Sequence, residues 1–122
     1  MSQQPLKSPV EILQIQDSLE VDYEKAWTIC AKNSRLNRDW QDLVLLYPEN
    51  SLVCYRHLLT QPLQRVKFRA FPLRGKQFRG VWEYEITGGD RVFYLPNKSE
   101  RSVLVIYAGK HPKKNKYPKA PK

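Results

Sequence analysis

The sequence predicts an α+β domain, with helices packed on one face of a small, mainly antiparallel β-sheet. Three observations predict it. Apolar residues recur at helical spacing through about residues 20–60. From about residue 65 to residue 109 the pattern changes to strand-like alternation. Within that second region Gly88-Gly89 joins two apolar, β-rich runs, a strong hairpin signal. Helical segments followed by a meander of strands suit a layer of helices on a sheet. One domain is expected over residues 1–117, followed by a basic flexible tail at 118–122.

Taken in order, VEILQIQ (10–16) alternates well enough for a short strand. VDYEKAWTICAKN (21–33) carries acidic residues early and Lys late, which suits a helix dipole. Its Tyr23, Trp27 and Cys30 fall at i, i+4 and i+7, one helix face. Asn37 can cap a second helix, RDWQDLVLLY, whose Trp40, Leu43, Val44 and Tyr47 share a face; Pro48 ends it. SLVCYRHLL (51–59) reads as a third helix ending near Pro62. RVKFRAFPL (65–73) reads as a strand ending at Pro72, and LRGKQFRG (73–80) as a basic loop. GVWEYEIT and DRVFYL flank the Gly-Gly turn. PNKSE turns again into a last strand, RSVLVIYAG (101–109). The end, KHPKKNKYPKAPK, holds six Lys and three Pro in thirteen residues and suits neither helix nor strand over most of its length.

A hydrophobic fraction of 41% with three Trp argues for a folded chain and against a disordered one. No run of about 18 apolar residues is present, so no membrane span is expected. MSQQPLKSP lacks the apolar core of a secretory signal. Cys30 and Cys54 are too few for a disulfide framework and lack metal-ligand spacing. Reduced thiols in a cytoplasmic protein, with no metal and no cofactor, are the expectation. The net charge of +9 is unevenly spread. Residues 1–60 carry six Lys/Arg against eight Asp/Glu, and residues 61–122 carry fifteen against four. The second half should attract polyanions: RNA, DNA, an anionic surface or an acidic protein.

If Gly88-Gly89 is the turn, residue 86 faces 91 and 84 faces 93, and a turn near 98–99 brings 106 opposite 91. Arg91 then lies on a central strand, on the face of Trp82, Tyr84, Ile86, Phe93 and Leu95. The chain leaving the last strand carries Lys110, His111 and Tyr117 toward the same sheet edge. That set suits metal-free RNA cleavage. A base takes the 2′-OH proton, cations stabilise the crowded phosphate, and an acid protonates the leaving 5′ oxygen. An arginine fork matches phosphate oxygens, an imidazole titrates near neutrality, and a tyrosine can stack on a base or pass a proton. Plainer roles exist for each: a hairpin charge, an exposed tail residue, an anchor for the tail. His57 reads as structural, and Glu83 and Glu85 as a solvated strand face. No GxSxG, Walker loop, CxxC or HExxH occurs.

Through LRGKQFRGVWEYEITGGDRVFYL and VLVIYAGKHPKK, the chain from about residue 62 to residue 117 resembles the RelE/ParE superfamily of bacterial toxins. The carrying pattern is a basic L-R/K-G loop, then G-x-W-x-x-x-I-T, an arginine after the turn before V-x-Y, and a strand closing on Gly-Lys-His. The resemblance implies a metal-independent endoribonuclease that cleaves mRNA, in some members on the ribosome, and is held by an antitoxin protein. It implies that Arg91 holds the scissile phosphate, His111 acts as general acid or base and Tyr117 stacks or assists proton transfer. Family members often carry cations on the strand before the turn, where this chain has Trp82, Glu83, Tyr84 and Glu85. Arg74, Lys76 and Arg79 of the preceding loop would replace them, and Lys110, Lys113, Lys114 and Lys116 would hold the RNA backbone. A glutamate base, as in some related toxins, is an alternative. So are a non-catalytic, ParE-like inhibitor of DNA gyrase and a member that only binds RNA or a partner.

Overall fold

The computed structural model of the chain describes residues 10–11 and 25–121. Strand β1 (Val10–Glu11) pairs antiparallel with β2 (Thr28–Ala31). Helices α1 (Ser34–Leu46) and α2 (Pro48–Thr60) follow. Then come β3 (Ala70–Pro72), β4 (Trp82–Thr87), β5 (Asp90–Asn97) and β6 (Ser102–Lys110). The strands form one sheet in the order β1-β2-β6-β5-β4-β3, parallel at β2–β6 and antiparallel elsewhere. The α+β arrangement read from the sequence is present, as a mixed sheet. Among the described residues no helix is long and apolar enough to cross a membrane.

Residues 28–31 correct one expectation, since they form a strand where helical spacing predicts a helix over 21–33. Their backbone is drawn into the ladder of β6: Thr28 N–H donates to Arg101 O at 2.9 Å and Lys32 N–H to Val105 O at 2.9 Å. Ile29 and Ala31 are buried while Thr28 is exposed, the two-residue period of a sheet. Tyr23 and the remainder of the 10–16 strand prediction lie outside the described residues.

Asn33, not Asn37, caps α1: its side-chain oxygen accepts from Leu36 N–H at 2.9 Å. Leu36, Trp40 and Leu43 then fall on one buried face. Pro48 stops that helix and opens the next one at its first position, where its missing N–H is not needed. Ser51 is buried where the helices meet and its hydroxyl donates to Leu43 O at 3.1 Å. Trp40 packs near Tyr55, with ring centroids 6.3 Å apart. Both helices cover the sheet face made by Trp82, Tyr84, Ile86, Val92, Tyr94, Val103 and Val105, which is the main core. The predicted strand 65–73 shrinks to three residues. Val66 bridges back to Ala70 in a tight turn with Phe68 at φ 61°, leaving little chain to extend.

His57 of α2 lies against Tyr84, ring centroids 5.5 Å apart, and burial lowers its pKa from 6.5. The unfolded chain takes up a proton near pH 6.5, the folded chain only at lower pH. The stability that neutral His57 allows is therefore complete above 6.5 and is lost as pH falls through the folded value. Lowering the pH from neutral to about 5.5 should reduce the urea midpoint more in the parent protein than in His57→Gln, which does not titrate there. Equal reductions would contradict this.

Candidate functional site

The sheet face turned away from the helices carries a smaller apolar cluster around Val81, Phe93 and Ile106. Arg91 belongs to this face, and the expected register is corrected. Thr87 pairs with Asp90 across the Gly-Gly turn, but Glu85, not Ile86, pairs with Arg91, because the ladder bulges at Ile86. One extra residue exchanges faces. Arg91 therefore joins Glu83, Glu85 and Phe93, while Trp82, Tyr84 and Ile86 turn to the helices. On β6 its partner is Gly109 instead of residue 106.

The surroundings of Arg91 correct a second expectation. Its Nε donates to Glu83 Oε2 at 2.9 Å, and its Nη2 lies 3.4 Å from Glu85 Oε2. Its Nη1 donates to the backbone oxygens of Thr87 at 2.6 Å and Asp90 at 3.0 Å. Arg91 is 6% exposed and Glu83 4%. A guanidinium with two carboxylates and two carbonyls around it does not offer the open fork predicted for a phosphate. Its physical role is to keep a buried carboxylate compensated. Glu85 differs from Glu83 in having a side chain 32% exposed.

The chain leaving β6 does reach this cluster. Gly109, at φ 148°, adopts a backbone conformation that L side chains rarely take, and it precedes the departure of the tail. His111 N–H donates to Gly89 O at 2.8 Å, tying the departing chain to the hairpin turn. The His111 ring is exposed, with Nδ1 2.8 Å from Pro112 O. A carbonyl only accepts, so this contact assigns the ring proton to Nδ1 and leaves Nε2 open as an acceptor. After a short 3₁₀ turn, Lys114–Lys116, the ring of Tyr117 comes to 5.9 Å from His111 and 5.2 Å from Phe93. Burial foremost, then the charge of Glu83, push the Tyr117 phenol up from its ordinary pKa, while Arg91 pulls it back. The phenol is thus a proton-bearing group at neutral pH, a donor and not a base. His111 and Tyr117 meet on the face that carries Arg91, Phe93 and Leu95, where the β4 residues are Glu83 and Glu85 in place of the expected Trp82, Tyr84 and Ile86.

The tail continues past Tyr117 and folds back. Ala120 N–H donates to Gln77 O at 2.8 Å, in the basic loop before β4, and Phe78 of that loop stands 6.3 Å from the Tyr117 ring. Two basic segments therefore meet beside the cluster. Arg74, Lys76 and Arg79 on one, and Lys110, Lys113, Lys114 and Lys116 on the other, are all exposed. The residue that sequence reasoning undervalued is Glu83, taken as part of a solvated face. The available signal was two glutamates alternating on one strand with a lone arginine across a two-residue turn, a cross-strand charge pair. Among the described residues no group of three His, Cys, Asp or Glu could hold a metal ion.

No protein-family model and no curated relative matches this sequence. Solved structures do. A metal-bound toxin from Helicobacter pylori superposes with a TM-score of 0.52 at 19% identity, covering 70% of this chain and 94% of its own. A YoeB–YefM complex from Staphylococcus aureus gives 0.51 at 10% identity, covering 70% and 98%. Almost the whole length of each neighbour is matched at an identity that speaks for architecture. The polypeptide shares the α+β fold of these two neighbours.

Proposed function

We propose that this protein is the toxin of a toxin–antitoxin pair and that it cleaves mRNA without a metal, on the outer face of the sheet. The observation that carries the reading is the meeting of an open imidazole, a proton-bearing phenol and a carboxylate pair inside a border of exposed cations. His111 Nε2 and Glu85 are the groups a nucleotide can reach to exchange protons. One of them takes the proton of the 2′-OH as O2′ attacks phosphorus, and the Tyr117 phenol gives its proton to the departing 5′ oxygen. The ring of Tyr117 is also placed to stack on a base. Arg91 contributes by fixing the two glutamates, and the phosphate charge falls to the lysines and arginines of the loop and tail. A ribosome-bound substrate is in keeping with a surface that is open and cationic. The neighbour solved as a YoeB–YefM complex supports a protein partner, for which an acidic segment fits the basic face.

Inducible expression with primer-extension mapping tests this. Growth arrest with discrete cuts inside transcripts is expected; arrest with intact transcripts would refute cleavage. Binding to the backbone predicts a further result. Replacing Lys113, Lys114 and Lys116 with Gln should flatten the plot of log affinity for single-stranded RNA against log salt by about 2 units of slope. An unchanged slope would place the RNA elsewhere.

The neutralised state of Arg91 favours a second reading, a non-catalytic inhibitor of the ParE kind acting on DNA gyrase, or a member that only binds RNA. Replacing His111 and Tyr117 together separates them. A ribonuclease loses its toxicity, whereas a gyrase inhibitor that does not use this edge keeps it.

A further inference from the structure

The candidate site shares a wall with a pocket at the β3 edge of the sheet. This pocket, of about 570 Å³, is walled by Val66, Phe68 and Phe71 and lined as well by Arg65, Lys67 and Glu85. Phe71 pairs with Glu83 across the ladder, which puts its side chain on the outer face. Glu85 borders the pocket and also stands 3.4 Å from Arg91 of the cluster. Phe68 is a residue that the fold itself does not ask for. Its side chain is 76% exposed, so burial does not account for it. Its φ of 61° lies in the left-handed region, which glycine and asparagine take readily and a bulky side chain does not. An aromatic ring is thus displayed where both solvent and backbone disfavour one. Lys67 Nζ stands over the ring, 5.2 Å from its centroid, and Arg65, Lys67 and Arg69 are all exposed around it.

We propose that this pocket holds an unpaired base of the RNA, belonging to a nucleotide beside the scissile phosphate and stacked on Phe68. The proposal rests on the reading of the outer face as an RNA site and extends it to the edge of the sheet. Aromatic and apolar walls suit the flat base, and Arg65 and Lys67 suit the phosphates on either side of it. Glu85 accepts an N–H from the base edge, which leaves His111 Nε2 to take the 2′-OH proton. The same carboxylate disfavours other occupants. An acidic peptide or an anionic lipid surface would set negative charge against it, whereas a base brings N–H donors.

The test follows the Phe68 ring by NMR and measures affinity at constant salt. A 2′-O-methyl RNA octamer of mixed sequence, which lacks the attacking hydroxyl and is not cut, is added to the protein. Sodium polyphosphate and phosphatidylglycerol vesicles are added separately. A saturable Phe68 shift with the octamer is expected. Phe68→Asn, which suits the backbone and removes the ring, should weaken the octamer at least about fivefold and leave polyphosphate affinity unchanged. Phe68→Trp, which keeps a stacking face, should bind the octamer as the parent does. Equal octamer affinity in Phe68→Asn and the parent would overturn the proposal. So would a Phe68 shift with vesicles and not with RNA, or a lowered urea midpoint in Phe68→Asn, which would make the ring structural. Cutting plays no part in these readouts. Stacking on Phe68 without cleavage would sink the nuclease reading alone, and cleavage with an unmoved Phe68 would sink the base pocket alone.

Discussion

Arg91→Met is expected to destabilise the protein by about 3–5 kcal/mol, because it strands the Glu83 carboxylate in a buried place with its main cation gone. The loss should show as a lower urea midpoint at unchanged slope. Changing both partners to apolar residues, Glu83→Leu with Arg91→Met, should recover most of it, since neither charge then has to be desolvated. The cycle of single and double variants gives the coupling directly. An Arg91→Met loss below about 1 kcal/mol, the size typical of an exposed pair, would show that the guanidinium is not committed to Glu83.

The second large effect concerns chemistry. His111→Ala should slow RNA cleavage by about 10²–10⁴-fold, the usual contribution of a positioned general acid or base. Its ring is exposed, so stability should move by no more than about 0.5 kcal/mol. That contrast matters because Arg91 fails the same separation: any activity lost with it is mixed with unfolding. Tyr117→Phe is the companion. It keeps the ring against Phe93 and removes only the hydroxyl, so retained activity assigns the residue to stacking and reduced activity to proton donation.

The hairpin was legible in the sequence because its cause is local: two glycines between alternating runs leave one sensible connection. The helical faces of Trp40 and Leu43 were legible for the same reason. Residues 28–31 were not, since Trp27 and Cys30 fit a helical period and the deciding partner, β6, lies some seventy positions later. Nonlocal pairing overrides local spacing here. The bulge at Ile86 was equally invisible, and it exchanged the β4 residues that share the face of Arg91. Proximity of His111 and Tyr117 to the hairpin could be read from the way the chain must exit β6. The closure of Arg91 by Glu83 and Glu85 could not, because which residues of β4 stand beside it was set by that one residue.

The most direct measurement is single-turnover cleavage of a defined mRNA by the purified, folded protein, with and without ribosomes, beside His111→Ala. Cuts at discrete positions with the parent protein, slowed at least a hundredfold in the variant, are the expected result. No cleavage under either condition, or equal rates for the two proteins, would contradict a nuclease site on this face.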